Sequence, residues 1–501
     1  MSTFHAPLDD ILFSLRHVAG AERLPDWDDE LAAEVIGHFA SFAEGRIAPL
    51  DAVGDAQGCR LEGGRVRMPD GFAEVYGELA EQGWQGLTVP EDFGGMGLSP
   101  VMQAGVSEIF SGANHSLQMV ASLVPGCVGV LRRFGSEAQQ AAYLPALAEG
   151  KYLSTMALTE PGAGSDLSAI RTRAVQEDGI WRLTGEKIFI SGGDQDISKG
   201  ILHLVLARSG GEGVRGLSLF LCLSERADGS RNAVSVTRIE EKMGLHASPT
   251  CQLAFDGAEA ELIGEEGGGL KAMFTMMNHA RIDVALQGVA HAARGADLAR
   301  RYAAERKQGR DATGQPVTID AHADVARMIA TCDDLARSGR VLCHLALVEE
   351  ALGTAPDLVE FLTPVCKYAC TEAGMKAADL AIQVMGGYGY LREYGAEQNW
   401  RDARICAIYE GTNGIHARTI ATRGLQLNGG AGARAFAAFL RDSTPDLAAD
   451  VAGWEAEAAR LATVQDPAAE AHAFMERTCD LAMRAARARL VAAEKRVAAA
   501  A

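Results

Sequence analysis

The chain has 501 residues, 48% hydrophobic and 23% charged, a composition that builds packed domains and excludes disordered and fibrous classes. Its 66 acidic against 47 basic residues leave a formal charge of -19, which repels a phosphate backbone and argues against nucleic acid as a primary partner. The N-terminus MSTFHAPLDD has no basic region leading into an apolar run, and the longest apolar stretch, Met119 to Leu131, is broken by Pro125 and falls short of the ~18 to 20 residues that cross a bilayer. A cytoplasmic protein without membrane insertion is expected.

Helical periodicity governs residues 1–150. Leu31-Ala-Ala-Glu-Val-Ile-Gly-His-Phe-Ala-Ser-Phe and Phe72-Ala-Glu-Val-Tyr-Gly-Glu-Leu-Ala repeat apolar residues at the spacing that lines one helix face. The glycine-rich stretch Gly54 to Gly71 separates them. From 151 to 264 the texture changes to β-branched and aromatic runs: Tyr152 to Ala157, Ile180-Trp-Arg-Leu-Thr, Lys187-Ile-Phe-Ile-Ser, Ile201-Leu-His-Leu-Val-Leu, Leu217-Ser-Leu-Phe-Leu and Cys251-Gln-Leu-Ala-Phe. Short, closely spaced strands with no helix between them predict an antiparallel sheet or barrel. The helical period then returns over 270–308, 318–352, 357–385 and 412–426, making 265–430 a helical bundle. Residues 431–501 read as an appended helical hairpin, with Asp466 as N-cap and Pro467 as first helical residue. The fold class is α+β: an N-terminal helical domain, a central antiparallel β domain, a C-terminal bundle and a helical extension.

Ten cysteines are scattered along the chain, and the closest pair, Cys366 and Cys370, has helical rather than CxxC spacing. All ten read as buried free thiols, and no metal site is expected. Gly211-Glu-Gly-Val-Arg-Gly matches a dinucleotide fingerprint but lies between two strands, so it reads as a hairpin loop. Leu158-Thr-Glu-Pro-Gly-Ala-Gly-Ser-Asp-Leu follows a predicted strand; its turn presents amides and the Thr159 and Ser165 hydroxyls to a ring edge or phosphate, or is simply a turn capped by Asp166. In Lys187-Ile-Phe-Ile-Ser, strand alternation sets Phe189 and Ser191 on one side, a surface for a planar cofactor or an ordinary barrel strand. Gln383-Val-Met-Gly-Gly-Tyr-Gly-Tyr closes a helix with glycines, and Tyr409-Glu-Gly-Thr places Glu410 where a lone glutamate is ordinarily a helix cap.

Taken together and in this order, Thr-Glu-Pro-Gly-Ala-Gly-Ser-Asp, Lys-Ile-Phe-Ile-Ser, Gln-x-x-Gly-Gly-x-Gly and Tyr-Glu-Gly-Thr resemble the acyl-CoA dehydrogenase family over residues 75 to 425. Lys242-Met-Gly-Leu-His-Ala-Ser-Pro-Thr-Cys, Met276-Met-Asn-His-Ala-Arg, Glu305-Arg-Lys-Gln-Gly-Arg and the N-terminal His5-Ala-Pro-Leu-Asp-Asp-Ile-Leu-Phe look most like its 3-methylmercaptopropionyl-CoA dehydrogenase branch. The resemblance implies a C-terminal four-helix bundle and FAD as cofactor. It also implies α,β-dehydrogenation of an acyl-CoA thioester to a 2,3-enoyl-CoA, a step of fatty acid metabolism. Glu410 would remove the α-proton as general base, its backbone amide would help polarise the thioester carbonyl, and the β-hydride would pass to flavin N5.

By the same resemblance Thr159 and Ser191 contact the flavin ring, with Phe189 where many members carry tryptophan. Arg306 reaches the pyrophosphate, Gln383, Gly386 and Gly387 form the segment lent to a neighbouring subunit's FAD, and Thr412 is a further FAD contact. Ser165 and Arg281 meet the CoA portion, Ser165 doubling as a cofactor contact. The implied partners are an acyl-CoA, an electron-transfer flavoprotein as acceptor, and further copies of the chain as a dimer or tetramer.

Three departures stand out. Ala280 occupies the place where some relatives put their base, no phenylalanine follows Arg306 in Lys307-Gln-Gly-Arg, and Gly414 replaces a common glutamine. Members of the methylmercaptopropionyl branch also carry a longer C-terminal domain. The alternatives are an acyl-CoA oxidase, which reoxidises the same flavin with oxygen, and a catalytically idle DNA-binding flavoprotein. For the latter, Arg484, Arg487, Arg489, Lys495 and Arg496 are the cationic candidates.

Overall fold

The computed structural model describes residues 4–226 and 228–500. The N-terminal part carries α1 (Leu8–Phe13), α2 (Asp29–Phe42), α3 (Asp51–Gln57), the hairpin β1 (Arg60–Glu62) and β2 (Arg65–Arg67), α4 (Phe72–Glu81), α5 (Pro100–Ala121), α6 (Val124–Phe134) and α7 (Glu137–Ala148). Local chemistry explains the starts: Asp28 accepts the Glu30 and Leu31 amides at the head of α2, and Ser136 and Gln139 form a capping box on α7. The apolar stretch around Pro125 is divided between α5 and α6, with the proline in the first turn of α6. No helix of the described residues is long and apolar enough to cross a membrane.

The β region comprises β3 (Tyr152–Ala157), β4 (Arg173–Glu177), β5 (Ile180–Ser191), β6 (Gly200–Arg208), β7 (Leu217–Leu223), β8 (Val234–Ile239) and β9 (Thr250–Ile263). They form one sheet in the order β3-β6-β4-β5-β9-β7, with β8 on β9, and β6 also pairs with β7 so that the sheet closes on itself. The expectation of an antiparallel sheet is corrected to a mixed one, because β3 and β4 run parallel to β6. Parallel pairing needs a long crossover, and Leu158 to Lys199, which contains the β4–β5 hairpin, supplies it. Two runs read as separate strands, at 180 and 187, are the single strand β5. Gly211 to Gly216 lies in the turn between antiparallel β6 and β7.

The remainder is helical apart from one short antiparallel hairpin, β10 (Lys307–Arg310) with β11 (Pro316–Thr318): α8 (Gly269–Glu305), α9 (Ala323–Leu352), α10 (Pro356–Met385), α11 (Ala396–Ala403), α12 (Asn413–Thr419), α13 (Ala431–Ser443), α14 (Ala448–Leu461) and α15 (Ala471–Ala500). The extension is therefore three helices rather than a hairpin. Asp466 and Pro467 open a turn ahead of α15: Asp466 accepts the Ala468 amide at 3.0 Å, and the helix starts at Ala471. Of the ten cysteines nine are buried and Cys59 is half-buried; all are free.

The chain packs as two compact units, one of Met1–Ala48, Ser99–Ala113 and Arg281–Ala501, the other of Pro49–Leu98 and Asn114–Ala280. In the first, Arg340 of α9 makes a buried bidentate pair with Glu108 of α5 at 2.6 to 3.0 Å. In the second, Arg65 of β2 pairs with buried Asp194 at 2.9 Å.

Candidate active site

In the second unit the chain turns sharply just beyond β3. Glu160 and Ala163 exchange both backbone hydrogen bonds at 3.0 Å around Pro161 and Gly162, and Asp166 caps the next turn by accepting from the Ser168 amide and hydroxyl. Ser165 stands exposed between them. A buried ion pair anchors this turn. Lys187 of β5 donates to Glu160 Oε1 at 2.8 Å and to the Leu158 and Leu206 carbonyls at 2.8 and 2.7 Å, while Glu160 accepts the Arg171 and Thr172 amides. Burial pulls the Lys187 ammonium down to about 8. Burial pushes the Glu160 carboxyl up, but Lys187 and the surrounding donors outweigh it and hold the group below the ordinary carboxylate value, so both stay charged at neutral pH.

The Ile188 amide donates to the Thr159 carbonyl at 2.8 Å, which sets Thr159 beside the strand segment carrying Phe189 and Ser191. Strict alternation fails there. A bulge between Lys187 and Ile190 keeps those two buried and turns Phe189 into the left-handed region, φ 58°, with its side chain 61% exposed. A left-handed aromatic residue is strained by about 1 to 3 kcal/mol, and the bare ring leaves apolar area in water. An exposed ring in this position is a surface on which a flat ligand can stack.

The first unit holds the second constellation, between α11 and α12. Glu410 and Gly411 are successive left-handed residues, φ 53° and 91°. Position 411 requires glycine, since a Cβ would stand 3.1 Å from His416 Nε2. That same Nε2 donates to the Glu410 carbonyl at 3.1 Å. Lys367 of α10, fully buried, donates to the Gly411 carbonyl at 2.8 Å and to Asn413 Oδ1 at 3.0 Å. Asn413 donates onward to Glu372 Oε1 at 2.7 Å and Thr371 Oγ1 at 3.1 Å. Thr412 caps α12 by accepting the Ile415 amide.

Glu410 Oε2 is buried with no hydrogen-bond partner among the described residues. Burial pushes the carboxyl up to about 7, with Arg281 and Lys367 pulling against it and Asp283 adding to it. Arg281 itself is lowered by burial and raised back by Glu410. Asp283 accepts from the Ser107 hydroxyl and, at 3.1 Å, from the Gln287 amide; Gln287 accepts the Tyr409 hydroxyl. The residue preceding Glu410 is thereby fixed to α8. An unsatisfied carboxyl that titrates near neutrality is suited to taking a proton.

A third locus in the same unit gathers Arg306, Gly386 and Gly387 in a groove of 490 Å³ lined also by Tyr302, Ile319, Tyr388 and Leu391. The Arg306 guanidinium lies over the Tyr388 ring at 5.5 Å. Gly386 adopts φ 60°, ψ -137°, a conformation essentially confined to glycine, with open space where a Cβ would stand. Gln383 is exposed on the last turn of α10.

Sequence reading passed over Lys367, Asn413, Asp283 and Gln287. Lys367 had left a signal: a lysine between Val365, Cys366 and Tyr368 in an apolar helix sits where burial demands a partner.

Models of the N-terminal, middle and C-terminal domains of acyl-CoA dehydrogenases match residues 32–151, 155–258 and 267–425. The chain is 41% identical over 488 residues to a 3-methylmercaptopropionyl-CoA dehydrogenase of Ruegeria pomeroyi, covering 92% of this chain and 83% of that one. An acyl-CoA dehydrogenase structure from Geobacillus kaustophilus superposes with a TM-score of 0.69 at 26% identity, over 81% of this chain and all of the other, 100%. The fold of Caenorhabditis elegans ACDH-11, in complex with C11-CoA, matches with a TM-score of 0.81 at 22% identity over 97% of this chain and 87% of that one. The fold and the matched domains thus define an FAD-dependent oxidoreductase. More particularly, the chain belongs to the acyl-CoA dehydrogenase family.

Proposed function

We propose that this protein removes the α-proton and the β-hydride of an acyl-CoA thioester, giving the 2,3-enoyl-CoA, with Glu410 as the general base. The observation that carries the reading is the Glu410 carboxyl: one oxygen buried without a partner, backbone held left-handed, affinity pushed up to about 7. Such a group ionises near neutral pH yet retains enough proton affinity to attack a weak carbon acid. The proton then rests on Glu410, and Arg281 and Lys367 offset the charge of the carboxylate between turnovers.

The residues present fit FAD. Phe189 offers a bare ring on a strained bulge, Thr159 and Ser191 lie on the adjoining segments, and Arg306 with Gly386 and Gly387 makes a cationic groove with open glycine backbone. When bound, FAD supplies the hydride acceptor. Thr159, Phe189 and Ser191 would hold its ring, Arg306 and Thr412 would contact FAD further along, Gln383, Gly386 and Gly387 would be lent to the FAD of a second copy, and Ser165 and Arg281 would meet the CoA portion. In the Gln383-to-Tyr390 segment Gln383, Gly386, Gly387, Tyr388 and Tyr390 are exposed, Tyr390 81% so; this supports a homo-oligomer in which the segment reaches a second copy, and an electron-transfer flavoprotein is the acceptor consistent with the family.

The test is anaerobic mixing of FAD-loaded protein with short, branched, medium-chain and 3-methylmercaptopropionyl-CoA thioesters, following the visible flavin absorbance. We expect bleaching by one class, slowed roughly 10²- to 10⁴-fold in Glu410→Gln. Because the active base is the carboxylate, the reduction rate of the unmodified protein should fall as pH drops through about 7. Loaded protein that no thioester bleaches would overturn the reading.

A further inference from the structure

We propose that Lys367 is the positioning residue of this site, holding the Glu410–Asn413 turn in its strained form through the Gly411 carbonyl and the Asn413 side chain; this rests on Glu410 being the base. The turn needs such a hold. Two consecutive left-handed residues, the first not glycine, oppose the intrinsic preference of the backbone and persist only where surroundings impose them. Lys367 supplies two charge-assisted hydrogen bonds on the two sides of the turn, at 2.8 and 3.0 Å, which are stronger than neutral ones. It sits fully buried in the middle of α10, a helix of thirty residues, so its position is set by a rigid element.

The choice of lysine has a physical reason. A neutral amide could bridge the same two acceptors, yet only a cation also favours the ionised form of a carboxylate nearby. The groups facing Glu410 are Arg281 and Asp283 from α8, Lys367 from α10, the adjacent Tyr409, held neutral by burial, and His416 from α12, with Arg423 acting on Arg281 and with Glu372 and Cys406 acting on Lys367. Burial pulls His416 down to about 3, so it is neutral and adds no charge. Burial pulls Lys367 down to about 8, so it is still a cation at pH 7; with Arg281 it opposes the burial that raises Glu410, and it also holds the turn's backbone through the Gly411 carbonyl.

The experiment compares Lys367→Met, Lys367→Arg and Glu410→Gln as FAD-loaded proteins, measuring the pH dependence of flavin reduction by saturating substrate. Lys367→Met is expected to move the acid limb upward by roughly one pH unit and to lower the plateau rate about 10- to 100-fold, with little change in the thioester concentration that gives half the maximal rate. Lys367→Arg should leave the limb in place and lower only the plateau. A Lys367→Met protein whose limb and plateau match the unmodified protein, while Glu410→Gln is inactive, overturns the positioning role alone. Glu410→Gln that still bleaches overturns the base assignment beneath it. If Lys367→Met does not fold, Asn413→Ser decides: it keeps the charge but shortens the link, so a lowered plateau with an unmoved limb is expected, and an unchanged plateau sinks the proposal.

Discussion

Two buried lysines shape the residues that matter. Lys187 does for the Thr159 turn what Lys367 does for Glu410, reaching a loop through carbonyls rather than touching a ligand. Replacing Lys187 with methionine leaves Glu160 buried without its cation, which typically costs about 3 to 5 kcal/mol, and frees the turn that carries Thr159. The expected outcome is protein isolated with FAD content well below one per chain, while Lys187→Met/Glu160→Gln recovers part of the loss; full FAD occupancy in Lys187→Met would refute the argument. The Glu410 turn could be singled out in the sequence because Tyr-Glu-Gly-Thr is a local pattern. The lysines were not, since their burial depends on carbonyls and amides from segments 20 or more residues away, as in Lys187 with Leu158 and Lys367 with Gly411. Phe189 was read by alternation, and alternation cannot foresee a bulge.

Among the elements, the long helices were the readable part. The spans predicted from 270, 318 and 357 end within a few residues of α8, α9 and α10, because apolar spacing of three and four over many turns has few competing explanations. Short elements were hidden. The glycine-rich separator contains the β1–β2 hairpin, whose strands are three residues each, below the length at which periodicity is informative. Asp466-Pro467 has the composition of a helix start but serves a turn, since the same side-chain capping stabilises both. At this scale the α5–α9 contact is the sharpest target: Glu108 and Arg340 are 1% exposed each, burial pushes the Glu108 carboxyl up, and Arg340 opposes that. Glu108→Ala strands a buried guanidinium and should lower stability by about 3 to 5 kcal/mol, read from the urea midpoint, with Glu108→Gln intermediate. A loss under 1 kcal/mol, roughly the value of an exposed pair, would show that Asp10 has taken over the arginine.

Over the whole molecule, buried histidines make folding sensitive to acid. Burial pulls His344 and His416 down to about 3 and His203 and His291 to about 4, against an ordinary value of about 6.5. Between those limits the unfolded chain binds protons that the folded chain refuses, so stability rises with pH in that window and falls as pH drops from 6.5 toward 4. Each such group adds up to about 1.4 kcal/mol per pH unit; denaturant midpoints from pH 7 to 5 should show the decline, shallower by about one proton in His203→Gln. The cationic helix α15 is engaged by its own chain: Arg484 pairs with Asp450 and Asp480, and Arg487 with Asp334, which spends on intramolecular acids the charge a DNA-binding face would need.

The first unit is assembled from both ends of the chain. Arg496 donates to the His17 carbonyl at 2.9 Å, Arg337 joins Asp10 to Glu494, and Phe361 of α10 stacks on Phe436 and meets Trp454 edge-on. A ribosome therefore finishes the second unit, Pro49–Leu98 with Asn114–Ala280, long before the first can close. During synthesis α1 and the apolar flank of α10 wait for α13 to α15 to emerge, the interval in which a growing chain most needs a chaperone.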